Sequence, residues 1–273
     1  MLCWIFIISC WPEGLSISTN IHQSAIVDPN AQIGDNVSIG PFVIIEDDVV
    51  IGDGTEIKSS AVIKSGARIG KDCRIFQSAI IAEIPQDLKF EGEKTLFEIG
   101  DRTTVREFCT LNRGTSELGK SSVGSDCLLM AYVHVAHDCI IGDKTILANG
   151  VQLGGHVSIG YQVTIGGMTP IHQFCNVGDH AFVGGGCRVV QDVPPYILAT
   201  GEPLKFAGVN NVGLRRRGFS AESRINIKNA YKKIFYSDMN TSQAIESIKS
   251  DIEQTEEVKM ILDFVENSNR GLI

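Results

Sequence analysis

"IGDGTEIKSSAVIKSGARIG", Ile51 to Gly70, carries isoleucine at every sixth position: Ile51, Ile57, Ile63 and Ile69. Four residues past each isoleucine stands a small or β-branched residue: Thr55, Ala61, Ala67 and then Cys73. An α-helix would rotate an apolar row of that spacing off its face within two turns. Short strands joined by turns fit it, each strand turning one large and one small residue into a narrow core. Self-similarity at this period predicts a parallel β-helix of hexapeptide repeats.

Outward from this stretch the register holds. Val27, Ile33, Ile39 and Ile45 precede it in phase, and Ile75 and Ile81 follow. The series lapses over 82–98, resumes at Ile99, Val105 and Leu111, lapses over 112–122, and then runs from Val123 to Val189. Glycine follows many anchors (Gly34, Gly40, Gly52, Gly70, Gly100, Gly124, Gly142, Gly160) and is expected to mark turns with positive φ. The two lapses are polar insertions on a rigid coil, where binding residues tend to lie. "QDVPPY" ends the repeat, because paired prolines cannot continue a ladder.

From about Ser220 the pattern turns helical. Ile227, Tyr231, Ile234 and Phe235 share one face, two further amphipathic segments follow, and Asn240 with Gln243 forms an N-terminal cap. The expected domains are an N-terminal extension over 1–16, a β-helix over 17–195 and an α-helical domain over 196–273. The run "MLCWIFIISC" is too short to span a bilayer and has no basic residue ahead of it, so no stable membrane insertion is expected.

A net charge of −8 argues against nucleic acid as the main partner, although Arg215 to Arg217 form a local basic spot. Cys73, Cys109, Cys127, Cys139, Cys175 and Cys187 all take the small inward position. That even spacing suits core filling by free thiols, where a zinc site would cluster them, and it points to a reducing, cytoplasmic setting.

The repeat resembles that of hexapeptide-repeat acyltransferases, in which three hexads make one triangular coil. On that geometry, residues eighteen apart stack on one side. His134, His137, His156 and His172, four of the six histidines, then line one side over three successive coils. His180 and His22 fall elsewhere and read as structural or solvated. Such a cluster signals a site, either a histidine base oriented by a carboxylate such as Asp138 or a metal centre. Zinc on three histidines occurs in the related gamma-class carbonic anhydrases, which makes a zinc-dependent hydratase the alternative.

"QDLK" (86–89), "IGDRTTVRE", "HVAHDC", "ILANG", "GGHVSIG", "IGGMTPIHQFC", "VGGGCRVVQDVPPY" and "GLRRRGFS" occur here in order. Together they resemble the UDP-N-acetylglucosamine O-acyltransferases of lipid A synthesis, from about residue 20 to the C-terminus. The resemblance implies a homotrimer of left-handed parallel β-helices, each with a small C-terminal α-helical domain. It implies transfer of an (R)-3-hydroxyacyl chain from acyl carrier protein to the sugar 3-hydroxyl. No metal or organic cofactor is implied beyond the carrier's phosphopantetheine.

Carried over residue by residue, His137 is the base, with Asp138 beside it, and the Gly155 N–H is the oxyanion donor. Gln86, Asp87 and Lys89 match sugar- and phosphate-holding positions. His134, His156, His172 and Gln173 match substrate contacts, Asn210 and Arg216 match nucleotide contacts, and Gly185 matches the acyl-chain ruler. Two departures stand out: Val212 replaces a common acidic residue, and Asn112 a common histidine.

Overall fold

The computed structural model describes residues 19–273, so the expectation for residues 1–16 lies outside the described residues. Strands of mostly two residues form three sheets, each strand hydrogen-bonding to the one three places on. The chain thus winds as a three-faced prism. The first face has eleven strands, beginning at Asn20–Ile21. The second and third have eight each, beginning at Ile26–Val27 and Gln32–Ile33.

Partners in the regular coils lie eighteen residues apart, as in Ser38 with Glu56 and Ser158 with Asn176. Across the first insertion the offset is thirty (Arg74 with Thr104), and across the second it is twenty-four (Thr104 with Leu128). Those excesses, twelve and six, are whole hexads, so the isoleucine row keeps its phase. Both excursions leave the coil at one corner, between the second and third faces, after Glu83 and Asn112.

The anchors and small residues fill the prism: Ile45, Ile63, Ile75, Leu111 and Val135 are buried, as are all six described cysteines. Burial pushes the thiols of Cys109 and Cys139 up to about 12 and that of Cys127 to about 11. They stay protonated, and the Cys139 and Cys127 sulfurs donate to the carbonyls of Gly154 and Gly142. Thr145 does the same from a small position, its hydroxyl donating to the Gly160 carbonyl at 3.0 Å.

The expectation for the glycines is corrected. Positive φ falls three residues past the anchor, on Asn36, Asp72, Asp138, His156 and Phe174 among others, and Gly34 to Gly160 of the glycine series are not in that region. These glycines instead permit coils to touch: a Cβ on Gly52 would stand 2.7 Å from the Gly70 carbonyl carbon, and one on Gly142 equally close to that of Gly160.

The first face runs on beyond residue 195. Ile197–Thr200 pairs parallel with Phe182–Val183 and then antiparallel with Lys205–Val209. Four helices follow: α1 (Asn211–Arg216), α2 (Ala221–Phe235), α3 (Thr241–Asp251) and α4 (Glu256–Glu266). The sequence reading missed α1. Ile227 and Tyr231 are buried while Ile234 and Phe235 pack partly buried against the core, and Asn240 and Gln243 form a complete capping box. The Tyr231 hydroxyl donates to the Pro195 carbonyl at 2.6 Å, pinning α2 to the end of the coil. The last residues return there too: Asp192, wholly buried, donates its N–H to the Gly271 carbonyl and accepts from the Ser268 hydroxyl.

Candidate functional site

The corner between the second and third faces stacks three short columns of turn residues. Ala136, Gly154 and His172 form one column, His137, Gly155 and Gln173 the next, and Asp138, His156 and Phe174 the third. The third column is the left-handed one, with φ of 57° at Asp138, 59° at His156 and 64° at Phe174. Asn, Asp and His are enriched in that conformation, whereas Phe174 is held there by its surroundings. Their rings stack at 4.6 Å between centroids, and the His156 ring meets that of His137 edge-on at 5.1 Å.

His137 Nδ1 lies 2.8 Å from Asp138 Oδ2. Asp138 is buried and receives two more hydrogen bonds, from the Thr115 N–H at 3.0 Å and the Thr115 hydroxyl at 2.7 Å. Burial opposes its charge, yet the bonds from His137 and Thr115 hold its carboxyl below the usual carboxylate range. An ionised Asp138 accepts only, so Nδ1 of His137 carries the proton and Nε2 is free to take one. Nε2 lies over Gly155, where an added Cβ would stand 2.6 Å from it. The backbone N–H of Gly155 has no partner among the described residues, because neighbouring turns use the N–H of His156 and Phe174 instead.

A cleft of about 630 Å³ opens at this corner, lined by both insertions and the imidazoles. It brings together Gln86, Asp87, Lys89, His137, His156 and Gln173 of the expected residues. Sequence reasoning missed Thr115, Glu93 and Glu117, which also line it; Glu117 sits 3.5 Å from His156 Nε2. Their only signal was membership of the insertions. Asn112, the second departure, is buried and its amide donates to the Ile84 carbonyl, tying one insertion to the other.

The other expected residues do not line this cleft. His134 sits on the second face with Nδ1 2.7 Å from the Thr110 hydroxyl, and burial pushes its imidazole below its ordinary value. His172 is exposed beside Arg270. Gly185 lies at the corner between the first and second faces. Asn210 caps α1 by accepting from the Gly213 N–H, and its amide donates to the His180 carbonyl. With Arg216, Arg217 and Val212 it lines a separate cavity of about 510 Å³ against the first face.

His137, Asp138 and His156 offer three donor atoms within 4.8 Å of one another, the one such grouping among the described residues. His134 and His172 do not join it, so the three-histidine set expected for a zinc centre is not assembled within the described chain.

A family model for bacterial hexapeptide transferases matches residues 30–65 and 120–155, and one described as UDP-N-acetylglucosamine O-acyltransferase, domain 2, matches residues 192–273. A curated relative from Janthinobacterium sp. (strain Marseille), named as an acyl-carrier-protein-dependent UDP-N-acetylglucosamine O-acyltransferase, is 48% identical over 93% of this chain and 98% of its own. The chain belongs to the UDP-N-acetylglucosamine O-acyltransferase family.

Solved structures agree. The acyltransferase of Bacteroides fragilis 9343 matches with TM-score 0.91 at 46% identity, covering 93% of this chain and 99% of that one. The Arabidopsis acyltransferase matches with TM-score 0.83 at 33% identity, over 92% of this chain and 99% of that one. These likenesses are to acyltransferases and do not favour the zinc hydratase. Within the family assignment, the corner cleft is the candidate acyl-transfer site.

Proposed function

We propose that this acyltransferase moves an (R)-3-hydroxyacyl chain from acyl carrier protein to the 3-hydroxyl of UDP-N-acetylglucosamine, opening lipid A synthesis. The relatives' names supply the donor and acceptor; the corner's geometry supports the rest. One observation carries the mechanism: an oriented His137–Asp138 pair whose free Nε2 lies over an unpartnered Gly155 N–H.

A sugar hydroxyl is a weak nucleophile at neutral pH. His137 Nε2 takes its proton as the oxygen attacks the thioester carbonyl. The carbonyl oxygen becomes an oxyanion, which the Gly155 N–H holds. When the tetrahedral intermediate collapses, the C–S bond breaks and the imidazolium returns its proton to the departing phosphopantetheine thiolate. Every atom and charge is balanced without a metal. Asp138 keeps the imidazole in the competent tautomer, while Asp87 and Lys89 hold the sugar nucleotide.

A homotrimer follows from the same reading. Asn210 and Arg216 line a cavity on the first face, which lies opposite the histidine corner of the prism. One chain cannot close both groups on a single nucleotide sugar, so a neighbouring copy supplies the nucleotide contacts and, near Gly185, the acyl groove. We place the enzyme in the cytoplasm, in keeping with its buried free thiols; no helix of the described residues is long and apolar enough to cross a membrane.

The test is transfer by purified protein from a series of acyl carrier thioesters to the nucleotide sugar, with product identified by mass. His137→Ala is expected to lower kcat by about 10³-fold while oligomer and fold persist. Retained turnover, or dependence on a chelatable metal, refutes the reading.

A further inference from the structure

We propose that Arg270, in the C-terminal segment, is a positioning residue for the nucleotide sugar, acting through His172. The inference rests on the reading of His172 as a substrate contact and extends it to a part of the chain remote in sequence.

His172 occupies the corner column beside His137, Gly155 and Gln173. Its Nδ1 has two neighbours at the same distance: the Gln173 carbonyl at 3.1 Å and Arg270 Nη2 at 3.1 Å. The two make opposite demands. A carbonyl needs a proton on Nδ1, whereas a guanidinium N–H needs a lone pair there. Arginine cannot give up its proton, and a charged donor makes the stronger bond, so Nδ1 accepts from Arg270. The imidazole proton therefore resides on Nε2, leaving an outward donor on this exposed ring, suited to a phosphate or hydroxyl oxygen. His172 and His137 consequently hold opposite tautomers on one corner, one ring to give a hydrogen bond and the other to take a proton.

Arg270 is itself held in place from several directions. Its N–H reaches Asp192 Oδ2 at 3.4 Å and Nη2 reaches the Val190 carbonyl at 3.4 Å. On either side, Ser268 donates to Asp192 Oδ2 at 2.7 Å and Ile273 donates its N–H to the Asp192 carbonyl at 3.2 Å. No carboxylate pairs with Arg270 among the described residues. The tail thus presents a guanidinium with no acidic partner to one imidazole of the corner.

Arg270→Ala and Arg270→Lys, alone and combined with His172→Ala, test this. Selective ¹⁵N-histidine labelling reads the tautomer directly, since the chain has six histidines. The wild type is expected to show an Nε2-protonated His172, and Arg270→Ala a shift toward the Nδ1-protonated form bonded to Gln173. In steady-state assays Arg270→Ala should raise KM for the nucleotide sugar about tenfold with kcat little changed, the scale of one oriented hydrogen bond. Lysine, which keeps a charged donor, should recover part of that loss. In the His172→Ala background the Arg270→Ala effect should vanish.

The proposal is overturned by an Nδ1-protonated His172 in the wild type, by a KM effect that persists without His172, or by a melting shift with no KM change. A wild-type protein unable to acylate the nucleotide sugar would instead overturn the function proposed above, and the tautomer spectrum would still decide the Arg270 contact.

Discussion

Two corners of the same prism use the same turn for different ends. Between the third and first faces the turns begin with glycine in every coil from Gly34 to Gly178, and aspartates of alternate turns reach back to the coil before. Asp53 receives the Asp35 N–H at 3.0 Å, Asp143 that of Ser125 at 2.7 Å, and Asp179 that of Tyr161 at 2.8 Å. The N–H groups of alternate turns are thereby bonded from one coil to the next, and the coils press together. Between the second and third faces, both insertions leave, histidines replace aspartates, and the Gly155 N–H is left without a partner. The difference teaches that the repeat supplies an identical socket at every corner. Function is obtained where the stabilising ladder of aspartates is withheld.

Exchanging one glycine at each corner tests this division most directly. Gly155→Ala places a methyl against the His137 ring, a side chain that can give way, and disturbs the oxyanion donor. A fall in kcat of about 10²- to 10³-fold is expected with the melting temperature nearly unchanged. Gly142→Ala drives its methyl into backbone atoms of Gly160 and Tyr161. It should cost about 1–3 kcal/mol by denaturant unfolding, with turnover per folded molecule preserved. Equal effects on both readouts at both sites would abolish the distinction.

Thr115→Val is the next largest effect, because it removes a hydroxyl from a buried, ionised carboxylate. kcat should drop about tenfold or more while KM changes little, since the loss of a hydrogen bond to a charged group costs about 1.5–3 kcal/mol. An unchanged kcat would show that His137 needs no such support.

The smallest effect concerns acid. His180, at the glycine corner, is pushed down to about 4 by burial and by the neighbouring Arg217. It stays neutral in the fold, whereas the unfolded chain binds that proton below about 6.5. Stability is therefore full above about 6.5 and declines as the pH falls toward about 4. Thermal melts across that window should show the decline, and His180→Gln should flatten part of it. His134, whose imidazole burial also pushes below its ordinary value, should add to the slope in the same direction.

Much of this architecture was legible because its core is one-dimensional. Ile51 and Ile57 differ by one hexad and occupy equivalent positions on successive faces, and Ile51 and Ile69, one coil apart, stack in register, so a period in the sequence is a period in space. The histidine corner was legible for the same reason once three hexads close a coil. Three things were not. The left-handed residue three past each anchor carries no compositional mark, since Asn36, Phe42, Lys144 and Met168 all take it. Thr115 meets Asp138 across twenty-three residues, and the contact exists because the second insertion folds back over the corner. No periodic reading contains that return. Asn210 and Arg216 match family positions by motif, but that Asn210 also caps α1 required a helix too short to declare itself.

A stack of identical coils has no intrinsic length. Each rung offers its outer edge to the next, and a row of open N–H and C=O groups would accept a stranger's backbone as readily as its own. The reversal at Lys205–Val209, together with the helices pinned by Tyr231 and the tail bonded to Asp192, acts as a terminator. Polymer growth from that end is blocked by the same segment that carries Arg270, so shortening the chain there is expected to invite filaments and to raise KM for the nucleotide sugar.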